Sequence, residues 1–330
     1  MGVLSALALG AGLWTVHFFR TLGYRVDRET IHVAAWYDRK DEVASQIPSP
    51  RVVLVGGSNV LYGLSARQLS NQLNAPFLNF GTHGGLPLDY LLYKSQQVAR
   101  SGDMIILALE YEQYSRPRGI NSMAIRYFIG GDPSYLPLLD FPQQLQCIFS
   151  ASPQSLLQPP PTKSKKYLSR LHKAKEATRV SMNEHGDRTG HTLASMTSHQ
   201  REVVAKLKPV SSISLQDFIH HEHNWTLLRR FADWCANEQI MLVAVYPNTI
   251  DDPILHQEPA VQNLAKIRER FERFGVPVLG NGTEAMRPRE HFYDTVYHLS
   301  EEGQKSRSAD FARMISPLIG EWKGHQSDGR

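Results

Sequence analysis

A chain of 330 residues, 42% hydrophobic and 21% charged, is long enough for a sizeable core and excludes global disorder. Its formal charge of +4 is uneven: Lys163–Lys208 holds 11 Lys/Arg against 4 Asp/Glu, so the remainder is slightly acidic. Two distant cysteines, Cys147 and Cys235, exclude a dense disulfide scaffold and offer no zinc-ligand spacing, leaving one disulfide or two buried thiols open.

Residues 3–19 (V-L-S-A-L-A-L-G-A-G-L-W-T-V-H-F-F) form an almost uncharged run. Its length is at the low edge of the roughly 17–25 residues that cross a bilayer as a helix. With no small-residue cleavage site behind it, the run predicts an uncleaved membrane anchor over 1–22. The alternative is an apolar helix packed on the protein itself. Arg20, Arg25, Arg28, Arg39 and Lys40 all follow the run, which by the positive-inside rule places the body in the cytoplasm. Residues 23–50 read as a linker.

From residue 51, short apolar runs alternate with amphipathic ones. Val52–Val55 is a continuous β-branched run, the pattern of a strand buried on both faces of a parallel sheet. Ser65 and Gln68 have capping-box spacing, so a helix is predicted to begin there. Residues 76–80 read as a second strand, 86–100 as a helix and 104–109 as a third strand. After Tyr114 the pattern dissolves. The Pro-rich and basic stretch over about 115–212 predicts a lid, an insertion or partial disorder, with a basic helix at about 164–180. Regularity returns with helix 223–237, strand 240–246, helix 259–273, strand 276–279 and a closing helix at 300–319. The order predicts an α/β fold: a doubly wound, flavodoxin-like parallel sheet of about five strands with helices on both faces. Ligands in that class bind at the carboxyl ends of the strands.

Three segments at those ends carry chemistry. Gly56-Gly57-Ser58-Asn59 follows the first strand, where the glycines permit a tight turn that exposes a hydroxyl. The same residues also suit a plain βα turn. Neither the phosphate-binding nor the dinucleotide-binding glycine motif is present, so no cofactor is expected. The second strand ends in Phe80-Gly81-Thr82-His83-Gly84. Gly81 offers a backbone N–H, and His83 suits either a substrate contact or a loop carbonyl. Near the carboxyl terminus, Asp294 and His298 lie four residues apart just before a helix. A nucleophilic serine needs a base, and that base needs an acceptor to fix its tautomer; one short loop supplies both. The run His220-His221-Glu222-His223 lacks the spacing of a zinc helix, so no metal is expected.

With these residues together, the chain resembles the SGNH (GDSL-type) hydrolase superfamily over 51–110 and 240–319. Gly57-Ser58-Asn59 stands where the family has its nucleophile block, Gly81 at its second-block glycine, and Asp294/His298 at its terminal block. The layout is more similar to membrane-anchored envelope proteins of alginate O-acetylation and teichoic-acid D-alanylation. The resemblance implies Ser58 as nucleophile, His298 as base and Asp294 as its orienting acid, with an oxyanion hole from Ser58 and Gly81 N–H. It also implies an acyl-ester or acylated-glycan substrate, a membrane-bound acyl-donor partner and the extracytoplasmic face of the cell envelope. The alternative is an inactive binding or assembly subunit. Two departures stand out. The third strand ends in Leu109-Glu110-Tyr111-Glu112 rather than in the family's oxyanion asparagine, a role open to Asn59 or Asn248, or left to the backbone alone. The terminal block has one residue more than the usual D-x-x-H. A nucleic-acid partner is not expected, because the basic segment lacks interleaved aromatics.

Overall fold

The structure is a computed structural model that describes residues 28–150, 165–215, 218 and 220–328. The predicted anchor at 3–19 lies outside the described residues. Among those described, no helix is long and apolar enough to cross a membrane.

The chain divides into two compact units, residues 1–38 with 119–178 and residues 39–118 with 179–330. The α-helices are α1 (Arg28–Gln46), α2 (Ser58–Gly63), α3 (Ala66–Leu73), α4 (Leu88–Val98), α5 (Glu112–Ser115), α6 (Ser122–Gly130), α7 (Phe141–Phe149), α8 (Lys165–Val180), α9 (Ser198–Ala205), α10 (Glu222–Asn237), α11 (Ala260–Glu272) and α12 (Glu301–Asp328). The strands are β1 (Val52–Val55), β2 (Phe77–Asn79), β3 (Met104–Leu107), β4 (Met241–Val245), β5 (Thr249–Ile250), β6 (Val278–Leu279) and β7 (Met286–Arg287).

In the larger unit, five strands pair in parallel in the order β2-β1-β3-β4-β6. Val52–Val55 and Met104–Leu107 are buried at every position, so both faces of the sheet are covered. One face presents Val52, Leu54, Met104, Ile106, Val243 and Val245 to Leu69 of α3 and to Phe311, Ile315 and Ile319 of α12. The period of two in the strands and of about four in α12 is what fits these surfaces together. On the other side, α10 packs against β4 and against α4. The result is an α/β fold with helices flanking a parallel sheet, consistent with double winding.

Two expectations are corrected. The stretch 23–50 is not a linker throughout, because α1 occupies 28–46. That segment has neither Gly nor Pro, and its apolar Ile31, Ala35, Val43 and Ala44 are buried. In its described residues, 115–150 and 165–212, the interruption also carries helices α6, α7, α8 and α9. Within the smaller unit, Ile31 and Ala35 pack on Leu171 and Ala174 of α8, and Asp38 pairs with Lys175 at 2.7 Å. Within the larger unit, Leu193, Met196, Val204 and Leu207 form an apolar base with Phe292, Val296 and Leu299. Both cysteines are buried free thiols.

Candidate active site

The turn after β1 is fixed from beneath. Glu110, just past β3, is buried, and its carboxyl oxygens accept the N–H of Gly57 at 3.1 Å and of Asn59 at 3.0 Å. Ser58 sits between these two anchors as the first residue of α2, partly exposed. A side chain at Gly57 has no room: its Cβ would lie 2.4 Å from the Glu110 carboxyl and 2.5 Å from Gly84 Cα. Burial pushes the Glu110 carboxyl above its ordinary range, offset in part by the N–H groups it accepts.

A second buried group holds the other end of α2. Asn79 Nδ2 donates to Val60 O at 3.0 Å and Leu64 O at 2.9 Å, while its Oδ1 accepts from Gly81 N–H at 3.0 Å. Lys40 Nζ completes this cluster, donating to Asn79 O, Asn79 Oδ1 and Gly186 O at 2.6, 3.0 and 2.6 Å. With only neutral acceptors in contact and no exposure, burial lowers the Lys40 pKa to about 7, against a smaller opposing pull from Asp187. Asp187 itself caps α3, accepting Ala66 N–H at 2.6 Å and Arg67 N–H at 3.0 Å.

The terminal loop closes on itself. Phe292 and Leu299 bridge antiparallel, Tyr293 N–H donates to His298 O at 2.8 Å, and Ser300 N–H donates to His291 O at 2.7 Å. This pinch sets the loop that carries Asp294 and His298. His298 Nδ1 meets Asp294 Oδ1 at 2.6 Å, which fixes the imidazole tautomer and leaves Nε2 as the proton acceptor.

Tyr62, one helical turn after Ser58 on α2, stacks on the His298 ring with centroids 4.2 Å apart and planes 11° apart. The His298 ring is thus held between a carboxylate and an aromatic face that belongs to the helix of Ser58. Tyr297 ties the loop down from the other side: its hydroxyl donates to Glu112 Oε2 at 2.7 Å and accepts Tyr111 N–H at 3.2 Å. Burial first, then Glu112, drives the Tyr297 hydroxyl pKa well up, so it stays a donor.

Of the eight residues selected from the sequence, the structure joins Asp294 to His298 and stacks on His298 the Tyr62 ring of the helix that Ser58 begins; among the described residues no hydrogen bond joins Ser58 to His298. Gly57 shapes the turn. Gly81 N–H is committed to Asn79 Oδ1 and is not open to a substrate, and its Cβ position lies 2.5 Å from Leu61 N. Asn59 Nδ2 donates to Ala108 O at 2.7 Å, and Asn248 Nδ2 donates to Tyr297 O at 2.7 Å. Both amides are fully buried fasteners rather than replacements for the missing asparagine. His83 Nδ1 accepts Gly85 N–H at 2.9 Å, a bond to a loop amide rather than to the loop carbonyl expected. The amides of Ser58 and Gly84 have no hydrogen-bond partner among the described residues.

Four neighbours escaped sequence reasoning: Glu110, Tyr62, Tyr297 and His191. The His191 ring is buried, edge-on to Tyr62 at 5.1 Å and to Tyr293 at 6.0 Å, with both nitrogens unbonded among the described residues. Burial, with Arg188 and His298 nearby, lowers its pKa to about 4, so it is neutral at pH 7. Among the described residues no group of His, Cys, Asp and Glu side chains is arranged to hold a metal ion. No family model matches the chain, and no curated protein matches it.

Proposed function

We propose that the chain is a serine-dependent acyl-ester hydrolase or O-acyltransferase of the SGNH type, with a doubly wound, flavodoxin-like body. The observation that carries this reading is His298, bonded to Asp294 at 2.6 Å and stacked at 4.2 Å on the residue one turn past Ser58. In the proposed reaction Ser58 Oγ attacks the ester carbonyl while His298 Nε2 takes its proton. Asp294 holds the ring and stabilises the imidazolium, and the Tyr62 face adds a cation–π contribution. The Ser58 and Gly84 amides, both free of protein partners among the described residues, are the donors proposed for the oxyanion, in place of Gly81. His298 then returns the proton to the leaving alcohol. Water or a sugar hydroxyl next takes the acyl group from Ser58.

The family resemblance supports an acylated carbohydrate or envelope polymer as substrate, a membrane-bound acyl donor as partner, and an extracytoplasmic location. Hydrolysis of p-nitrophenyl acetate by the full chain tests the chemistry. Turnover should vanish in Ser58→Ala; equal turnover in both proteins contradicts the assignment.

Glu110 favours a second reading, an inert binding or assembly subunit. A carboxylate beside the nucleophile, where the family has an amide donor, opposes the charge that develops on an oxyanion. A folded wild-type chain with no turnover of any activated ester selects that reading.

A further inference from the structure

Away from Ser58, a cavity of about 410 Å³ opens at the carboxyl ends of β4 and β6. Its walls combine apolar Leu279, Phe311 and Met314 with three guanidiniums, Arg287, Arg307 and Arg313, against two carboxylates, Glu284 and Asp310. Both carboxylates are already engaged. Asp310 takes Arg287 at 2.8 Å on Oδ2 and Arg313 on Oδ1, and Glu284 Oε2 accepts Asn281 N–H at 2.8 Å.

Arg307 is the unusual member. It is buried, and its hydrogen bonds go to neutral acceptors: Asn248 Oδ1, Tyr246 O at 3.2 Å and Asn59 O at 3.5 Å. Buried cations ordinarily face an acid, because removing an ion from water is costly unless a counter-charge replaces the lost hydration. Arg287 is also buried, at 7% exposed; it has the counter-charge of Asp310, but its Nε is buried without a hydrogen-bond partner. Burial and the nearby Arg287 charge push Arg307 down to about 9, as expected for a cation short of counter-charge.

We propose that this cavity is a second binding site, for a small amphiphilic anion whose oxyanion head meets Arg287 and Arg307 at the wall and Arg313 at the rim, while its apolar body lies on Phe311 and Met314. Guanidinium forks match carboxylate and phosphate alike, so the head is one of these two. The site is independent of acyl chemistry at Ser58.

Isothermal titration of the full chain at pH 7 with 3-phenylpropionate, phenyl phosphate and uncharged benzyl alcohol tests it. At least one anion should bind, benzyl alcohol should bind at least tenfold more weakly, and the preferred anion identifies the head. Arg287→Met and Arg313→Ala should each weaken that anion about tenfold or more, and Ser58→Ala should leave it unchanged. Arg313 has a side chain 74% exposed, so its variant decides the matter even if Arg287→Met fails to fold. Failure of both anions to bind, equal binding of benzyl alcohol, or unchanged affinity in Arg313→Ala overturns the proposal.

Discussion

The two halves of the candidate site are built on different principles. The Ser58 turn is over-determined: a buried carboxyl bonds the amides on both sides of the serine, and Gly57 leaves no space for an alternative. The Asp294–His298 loop is more open, with side chains 34% and 17% exposed, and it is held from outside by Tyr62, Tyr297, Asn248 and the apolar base under Phe292, Val296 and Leu299. In the proposed mechanism the nucleophile is therefore preset, while the base and its carboxylate keep freedom to tighten around a substrate. That division suits a proton shuttle, whose ring must serve first the serine and then the leaving group.

The comparison breaks most visibly at the loop. Asp294→Asn should lower kcat by about 10³–10⁴-fold, because the wrong imidazole tautomer is favoured, with little change in melting temperature. Parallel ester kinetics and thermal melts check this; a large loss of stability would show that the Asp294 side chain, rather than the packing beneath it, holds the loop. Glu110→Ala should do the reverse first, destabilising the fold. It leaves two buried N–H groups without a partner, at about 1–3 kcal/mol each, and it releases the Ser58 turn. Urea unfolding measures that loss, and stability within error of wild type would show that the turn is not held by Glu110. Tyr62→Leu keeps an apolar side chain but removes the stacked face; a loss of kcat of about fivefold is expected, in line with an aromatic interaction of about 1 kcal/mol.

The fold also carries pH slopes in its stability. Burial holds His191 at about 4 against an ordinary 6.5, so the unfolded chain binds the proton first and stability falls as pH drops from 6.5 to 4. Lys40, lowered to about 7 from 10.5, likewise makes stability rise as pH increases above 7. Denaturant midpoints of His191→Phe should lose the acid slope and those of Lys40→Met the slope between pH 7 and 8.5. Slopes unchanged from wild type would mean that these groups are charged in the fold.

What was readable in the sequence follows the same division. Val52–Val55 was legible to the residue, because a β-branched run buried on both faces needs no long-range knowledge. The Asp294–His298 pair was legible because both partners lie on one loop. Glu110 was visible only as an odd residue after β3; its bonds reach 51 and 53 positions back along the chain, beyond any local pattern. Tyr62 was within reach, four residues past Ser58, but a helix was expected only from residue 65. Gly81 was misassigned for a related reason: whether its amide faces a substrate depends on Asn79, whose side chain turns back to take it. Residues 28–46 carried a helical signal that lay in a stretch read as a linker.

The most direct measurement is reaction of the full chain with a fluorophosphonate probe, followed by peptide mapping of the adduct. A single adduct on Ser58, abolished in His298→Ala, is the predicted result. A folded wild-type chain that takes no label, or that takes it on another residue, contradicts the assignment of Ser58 as an activated nucleophile.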